Sequence, residues 1–137
     1  MAEISFNRFG NATNPHQNNH IPRVLCVCSA GLLRSPTAAW ILSNPPFNYN
    51  TRAVGVSEDF ALIPLDAVHI HWADEIVVMS ANQADVVKQM EADSNAKLGR
   101  RAETPVHILN VPDMFAYRDP ELIKILDAEL RRVFHIK

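Results

Sequence analysis

From Ile21 onward, short apolar runs of the kind that fill a buried strand alternate with stretches in which apolar residues recur at helical intervals. The runs predict strands over Arg23–Val27, Thr51–Val56, Glu75–Met79 and Val106–Leu109. The helical stretches predict helices over Pro36–Ser43, about Leu65–Trp72, Asn82–Ala92 and Pro120–Phe134. The order is βαβαβαβα. Parallel strands need crossover connections, and those crossovers are right-handed, so the expected fold is α/β, a four-stranded parallel sheet with helices on both faces.

Several helix ends carry their own signals. Ser35 is a favoured N-cap and Pro36 suits the first helical position, so helix is expected to begin at Pro36 and to stop at Asn44-Pro45-Pro46. Ser80-Ala-Asn-Gln83 fits a capping box, and Asp119-Pro120-Glu121 sets a cap, a proline and an acid in helix-start order. In the last helix Leu122, Leu126, Leu130, Val133 and Phe134 fall on one side, so it should cover a sheet face. The stretch Asp93–Glu103, with Ser94, Asn95, Gly99, Arg100 and Arg101, reads as an exposed connection. Met1–His20 is polar, with Asn11, Asn14, Asn18 and Asn19, and reads as a tail or loosely docked arm before one α/β domain over residues 21–137.

Composition narrows the classes of function. A chain of 137 residues with 47% hydrophobic and 20% charged residues is one ordinary soluble domain with a real core. A formal charge of −2 argues against broad binding of nucleic acid or anionic membrane, so partners should be small or local. No apolar run approaches the roughly 18 residues of a membrane span, and Met1–Asn19 lacks the basic start and apolar centre of a signal peptide, which reads as cytoplasmic. Cys26 and Cys28 are too few for a disulfide framework, and Cys26 is expected in the core. His69-Ile-His71 falls on a predicted helix, where positions two apart diverge; no metal site and no cofactor is expected. Trp72 and Met79 read as core or pocket wall, and Asp74-Glu75 as a solvated helix-to-strand turn.

Chemistry concentrates after the first strand, in Cys28-Ser29-Ala30-Gly31-Leu32-Leu33-Arg34-Ser35. A loop between a strand and a helix start can turn its N–H groups inward around an anion, and an arginine fork adds bidentate contacts to a tetrahedral oxyanion. Ser29, Ala30, Gly31, Leu32, Leu33 and Arg34 are therefore candidate phosphate-binding positions, with Gly31 free to take a positive φ. Partial positive charge of this kind favours thiolate over thiol, which makes Cys28 the candidate nucleophile. A carboxyl group is then needed to protonate the leaving oxygen and later to activate water. Asn110–Asp119 follows the last strand and should emerge at the same sheet edge; it offers two carboxyls. Asp119 precedes Pro120-Glu121 and suits a helix cap, a use that stabilises the anion. Asp113, between Pro112 and Met114-Phe115, is the preferred acid, with Asp119 the alternative. Phe115 and Tyr117 could wall an aromatic ester or anchor the loop.

Val24-Leu-Cys-Val-Cys28-Ser-Ala-Gly-Leu-Leu-Arg34-Ser-Pro-Thr37 resembles the low-molecular-weight protein tyrosine phosphatases, and Trp72-Ala-Asp-Glu-Ile-Val-Val-Met79 looks like their central helix-to-strand passage. The resemblance spans about Arg23 to the C-terminus. It is closer to a short bacterial branch of predicted phosphatases, with Pro112-Asp113 and Asp119-Pro-Glu-Leu122 matching its late segments. It implies a low-molecular-weight-phosphatase-like fold and cysteine-dependent hydrolysis of phosphotyrosine on a protein, or of a small aryl phosphomonoester. By the same resemblance Cys28 is nucleophile, Arg34 binds phosphoryl oxygens, Ser35 hydrogen-bonds the thiolate, and Asp113 or Asp119 is the acid. Gly31 stands where the family commonly has asparagine, Leu33 where it commonly has a second loop cysteine, and Glu121-Leu122 where it commonly has two tyrosines. Two alternatives share the loop: an arsenate reductase-like enzyme drawing on external thiols, and a non-catalytic phosphate- or phosphopeptide-binding module.

Overall fold

A computed structural model describes residues 5–6, 11–13, 21–28, 34–57, 63–99, 103–111 and 119–135. Its strands are β1 (Ser5–Phe6), β2 (Asn11–Thr13), β3 (Arg23–Cys28), β4 (Asn50–Gly55), β5 (Glu75–Val78) and β6 (Val106–Ile108). The helices are α1 (Arg34–Leu42), α2 (Ala67–Trp72), α3 (Ala81–Leu98) and α4 (Pro120–Val133). The expected four-stranded parallel sheet is present as β4-β3-β5-β6, and β1 and β2 extend it antiparallel beyond β4. Every helix predicted from periodicity is found in its place, although several ends move.

Period-2 alternation on β3 divides the core in two. Val24, Cys26 and Cys28 face one side, where they meet Ala38, Leu42, Leu122, Leu126 and Leu130 of α1 and α4. Leu25 and Val27 face the other side, with Ile70 of α2 and Ala84 and Val87 of α3. A strand buried on both faces needs an unbroken apolar run, as Val24–Val27 supplies. Leu122, Leu126 and Leu130 recur at four-residue spacing and are all fully buried, worth about 1.5–3 kcal/mol each relative to exposure.

Three expectations at helix ends are corrected. Helix α1 begins at Arg34, not Pro36, and Ser35 lies inside it rather than capping it; the hydroxyl is engaged by Cys28 and the Val54 carbonyl instead. Ser80 is the N-cap of α3, but its side chain makes no cap bond. Gln83 Oε1 accepts from Met79 N at 2.7 Å, one residue upstream of the capping-box arrangement. Residues 93–98, read as connection, continue α3 to Leu98, where Gly99 at φ +69° ends it. A tertiary contact holds that polar extension, Ser94 Oγ meeting His71 Nε2 at 2.7 Å, and just before it Thr104 N donates to Glu91 Oε1 at 3.1 Å.

The parallel strands run in the order second, first, third, fourth, so the chain leaves β3 toward one neighbour and later returns to pair on its other side. The carboxyl ends on either side of such a reversal leave a crevice, the usual ligand position in open α/β sheets. Cys28 is the last residue of β3 and stands at that crevice.

Candidate active site

The sheet brings Cys28 beside Gly55 of β4, and Val56 N donates to the Cys28 carbonyl at 3.0 Å. Across the crevice, Leu109 N donates to Val78 O and Val111 N to Met79 O, both at 2.9 Å, so the chain after β6 reaches the same edge. Helix α1 starts there too, which places Arg34 and Ser35 in its first turn. The side chains of all three residues are interior: Cys28 is 3% exposed, Arg34 4% and Ser35 fully buried.

The Cys28 Sγ and Ser35 Oγ atoms lie 3.0 Å apart. Ser35 Oγ is also 3.4 Å from the Val54 carbonyl, yet a hydroxyl has one proton to give. With Cys28 a thiol, the S–H can donate to Ser35 while the hydroxyl donates to Val54. With Cys28 a thiolate, the hydroxyl turns its proton to sulfur and releases the longer carbonyl contact. The same hydroxyl can thus accept from the sulfur or donate to it without moving a heavy atom. Arg34 Nη1 donates to the Val111 carbonyl at 2.6 Å, tying the start of α1 to the segment after β6. A buried guanidinium at a sheet's carboxyl edge is a ready partner for an oxyanion.

Cys26 shares a sheet face with Cys28 but has different chemistry. It is fully buried, and burial, reinforced by negative charge at Cys28, pushes its thiol far above the ordinary value. It is a core residue, as expected, and neither cysteine is in a disulfide. Ser29, Ala30, Gly31, Leu32 and Leu33 lie outside the described residues, as do Asp113, Phe115 and Tyr117. Asp119 is described: its Oδ1 accepts from Glu121 N at 2.8 Å and caps α4, the use its sequence context suggested.

The remaining candidates have local partners. His69 Nδ1 lies 3.0 Å from Asp66 Oδ1 and His71 bonds Ser94, so the two imidazoles serve different neighbours. Among the described residues no three His, Cys, Asp or Glu side chains gather as a metal set. Trp72 lies beneath the Arg52 guanidinium at 4.3 Å, Met79 is in the core, Asp74 pairs with Arg23, and Glu75 pairs with His107. What the sequence did not reveal is the pair of backbone acceptors, Val54 and Val111 carbonyls, because a carbonyl carries no side-chain signal.

No protein-family model and no curated protein sequence matches the chain. Solved structures do. Wzb from Vibrio vulnificus in complex with benzylphosphonate superposes with a TM-score of 0.61 at 14% identity, over 82% of this chain and 97% of that one. YfkJ from Bacillus subtilis gives 0.60 at 14% identity, over 87% and 96%. The tyrosine phosphatase Wzb from Escherichia coli K30 in complex with phosphate gives 0.56 at 14% identity, over 84% and 97%. The chain shares the α/β fold of these three structures, the fold that the resemblance in its sequence implied.

Proposed function

We propose that this protein hydrolyses phosphomonoesters through a cysteinyl-phosphate on Cys28, with phosphotyrosine in a protein or a small aryl phosphate as substrate. The observation that carries the reading is a buried cysteine at the carboxyl end of the first parallel strand, 3.0 Å from a serine hydroxyl and followed by a buried arginine. A fold shared with proteins solved holding phosphate and benzylphosphonate supports the same ligand class.

In the first step the Cys28 thiolate attacks phosphorus and the bond to the leaving oxygen breaks. A carboxylic acid gives that oxygen its proton. In the second step the same carboxylate takes a proton from water, whose oxygen attacks phosphorus as the S–P bond breaks, returning thiolate and inorganic phosphate. Ser35 donates to sulfur as it recovers its charge, and Arg34 holds phosphoryl oxygens throughout. Asp113 is the acid we favour. Val111, whose carbonyl contacts Arg34, is two residues before it, a separation of about 7 Å at most. Asp119 has its Oδ1 committed to a helix cap.

Wild-type protein should release phosphate from an aryl phosphate in the presence of a metal chelator, and Cys28→Ser should abolish turnover. Asp113→Asn should slow aryl-ester cleavage by about 10²–10⁴-fold and remove one limb of the pH profile, with Asp119→Asn close to wild type. Turnover surviving Cys28→Ser would sink the proposal; the reverse ranking of the two aspartates would transfer the acid role to Asp119. Cys26, buried with its thiol held protonated, is poorly suited to relay a disulfide, so arsenate reduction here would have to draw on external thiols.

A further inference from the structure

The guanidinium of Arg34 is tied to a backbone carbonyl far along the chain. Arg34 Nη1 donates to the Val111 carbonyl, a contact across 77 positions of sequence. That carbonyl is presented by an irregularity at the end of β6. Leu109 N and Val111 N donate to Val78 O and Met79 O, so donors two residues apart meet acceptors one residue apart. The β6 side therefore carries one extra residue, a bulge, and the extra residue is Asn110 at φ +55°. Bulges bend a strand and re-aim the residues beyond the bend. Asparagine enters the left-handed region more readily than other side chains, whereas a β-branched residue there is a genuine outlier.

We propose that Asn110 is a positioning residue: its left-handed conformation forms the bulge that turns the Val111 carbonyl onto Arg34 and so orients the guanidinium for a phosphoryl group, a role that rests on the phosphatase reading of the site. The carbonyl occupies one N–H direction of the planar fork, which fixes where the others point. Replacing Asn110 by glycine keeps the conformation at no steric cost; valine drives the chain out of it.

The test compares Asn110→Gly with Asn110→Val, using aryl-phosphate kinetics, inhibition by inorganic phosphate, and the Arg34 Nη–H resonances of labelled protein. Asn110→Gly should keep kcat, KM and phosphate inhibition within about threefold of wild type and retain an exchange-protected Arg34 signal. Asn110→Val should raise KM and the phosphate inhibition constant and lower kcat/KM, each by about tenfold or more, with that signal lost and the fold intact by circular dichroism. A purely structural residue would lower the melting temperature and leave the kinetics of the folded fraction unchanged. Should the valine variant not fold, Asn110→Ala stands in, with a loss of about threefold or more expected. A folded valine or alanine variant with wild-type constants and an unchanged Arg34 signal overturns the inference, as does a glycine variant equally impaired. If wild-type protein hydrolyses no aryl phosphate, the phosphatase reading fails, and the Arg34 signal decides alone: its loss in the valine or alanine variant upholds the positioning by Asn110, and its persistence sinks it.

Discussion

His69 shows how a side chain with no part in the site still sets conditions for the molecule. Its imidazole is 17% exposed, and burial, together with the positive charge of Arg52, lowers its pKa below the ordinary 6.5, although Asp66 pulls the other way. A histidine depressed in the folded state binds its proton more readily when the chain is unfolded. Its contribution to stability is therefore complete above pH 6.5 and falls as pH drops from there to the lower folded value. Urea midpoints measured between about pH 8 and pH 5 should fall more steeply for wild type than for His69→Gln, and parallel curves would refute the assignment. At this scale legibility follows side-chain chemistry. Cys28 and Arg34 stood out because one of the chain's two thiols ends an apolar strand six residues before an arginine that opens a helix start. Ser35 was read as a cap because serine before proline suits that role, and only the family resemblance pointed to the contact its hydroxyl makes with Cys28. Asn110 went unremarked: its contribution is a backbone angle, and the only trace is an asparagine directly after an apolar strand.

Helix ends decide how the elements meet the site, and α4 gives a clean separation of two roles for one carboxylate. Asp119 accepts from Glu121 N, Pro120 occupies the first turn, and the helix then buries Leu122, Leu126 and Leu130. Losing the cap through Asp119→Ala should cost about 1 kcal/mol in urea unfolding, whereas asparagine, an equally good cap, should cost little. Asp119→Asn thus removes the carboxyl while leaving the helix intact, and equal destabilisation by both substitutions would show that the charge, not the cap, matters. Helix α4 was legible to within a residue because apolar period, cap and proline agree. Helix α3 was read six residues short: Asp93–Leu98 is polar enough to pass for a connection, and the contacts of Ser94 with His71 and of Glu91 with Thr104 are invisible to local pattern. Tertiary contact overrides local preference most easily where preference is weak.

At the scale of the molecule, the site exists only because distant parts of the chain are brought to one sheet edge. Cys28 ends β3, Arg34 opens α1, and the Val111 carbonyl arrives after β6, 77 residues beyond Arg34. Element order alone implied this convergence, since a βαβ chain folded with one handedness directs all its strand ends the same way. The sheet's reversal at β3 and the bulge after β6 leave no mark in element order. An anion bound across these parts contacts only the folded chain, so it must stabilise the whole domain by mass action. Inorganic phosphate at about 100 times its dissociation constant should add about 2.7 kcal/mol to unfolding. Chloride at matched ionic strength should not, because screening acts on exposed charges while Arg34 is buried. Arg34→Lys keeps a positive charge and loses the planar fork, so its phosphate response should shrink while its chloride response stays the same. Equal stabilisation of wild type and Arg34→Lys by phosphate would place the anion elsewhere and detach the binding of phosphate from the β3–α1 junction.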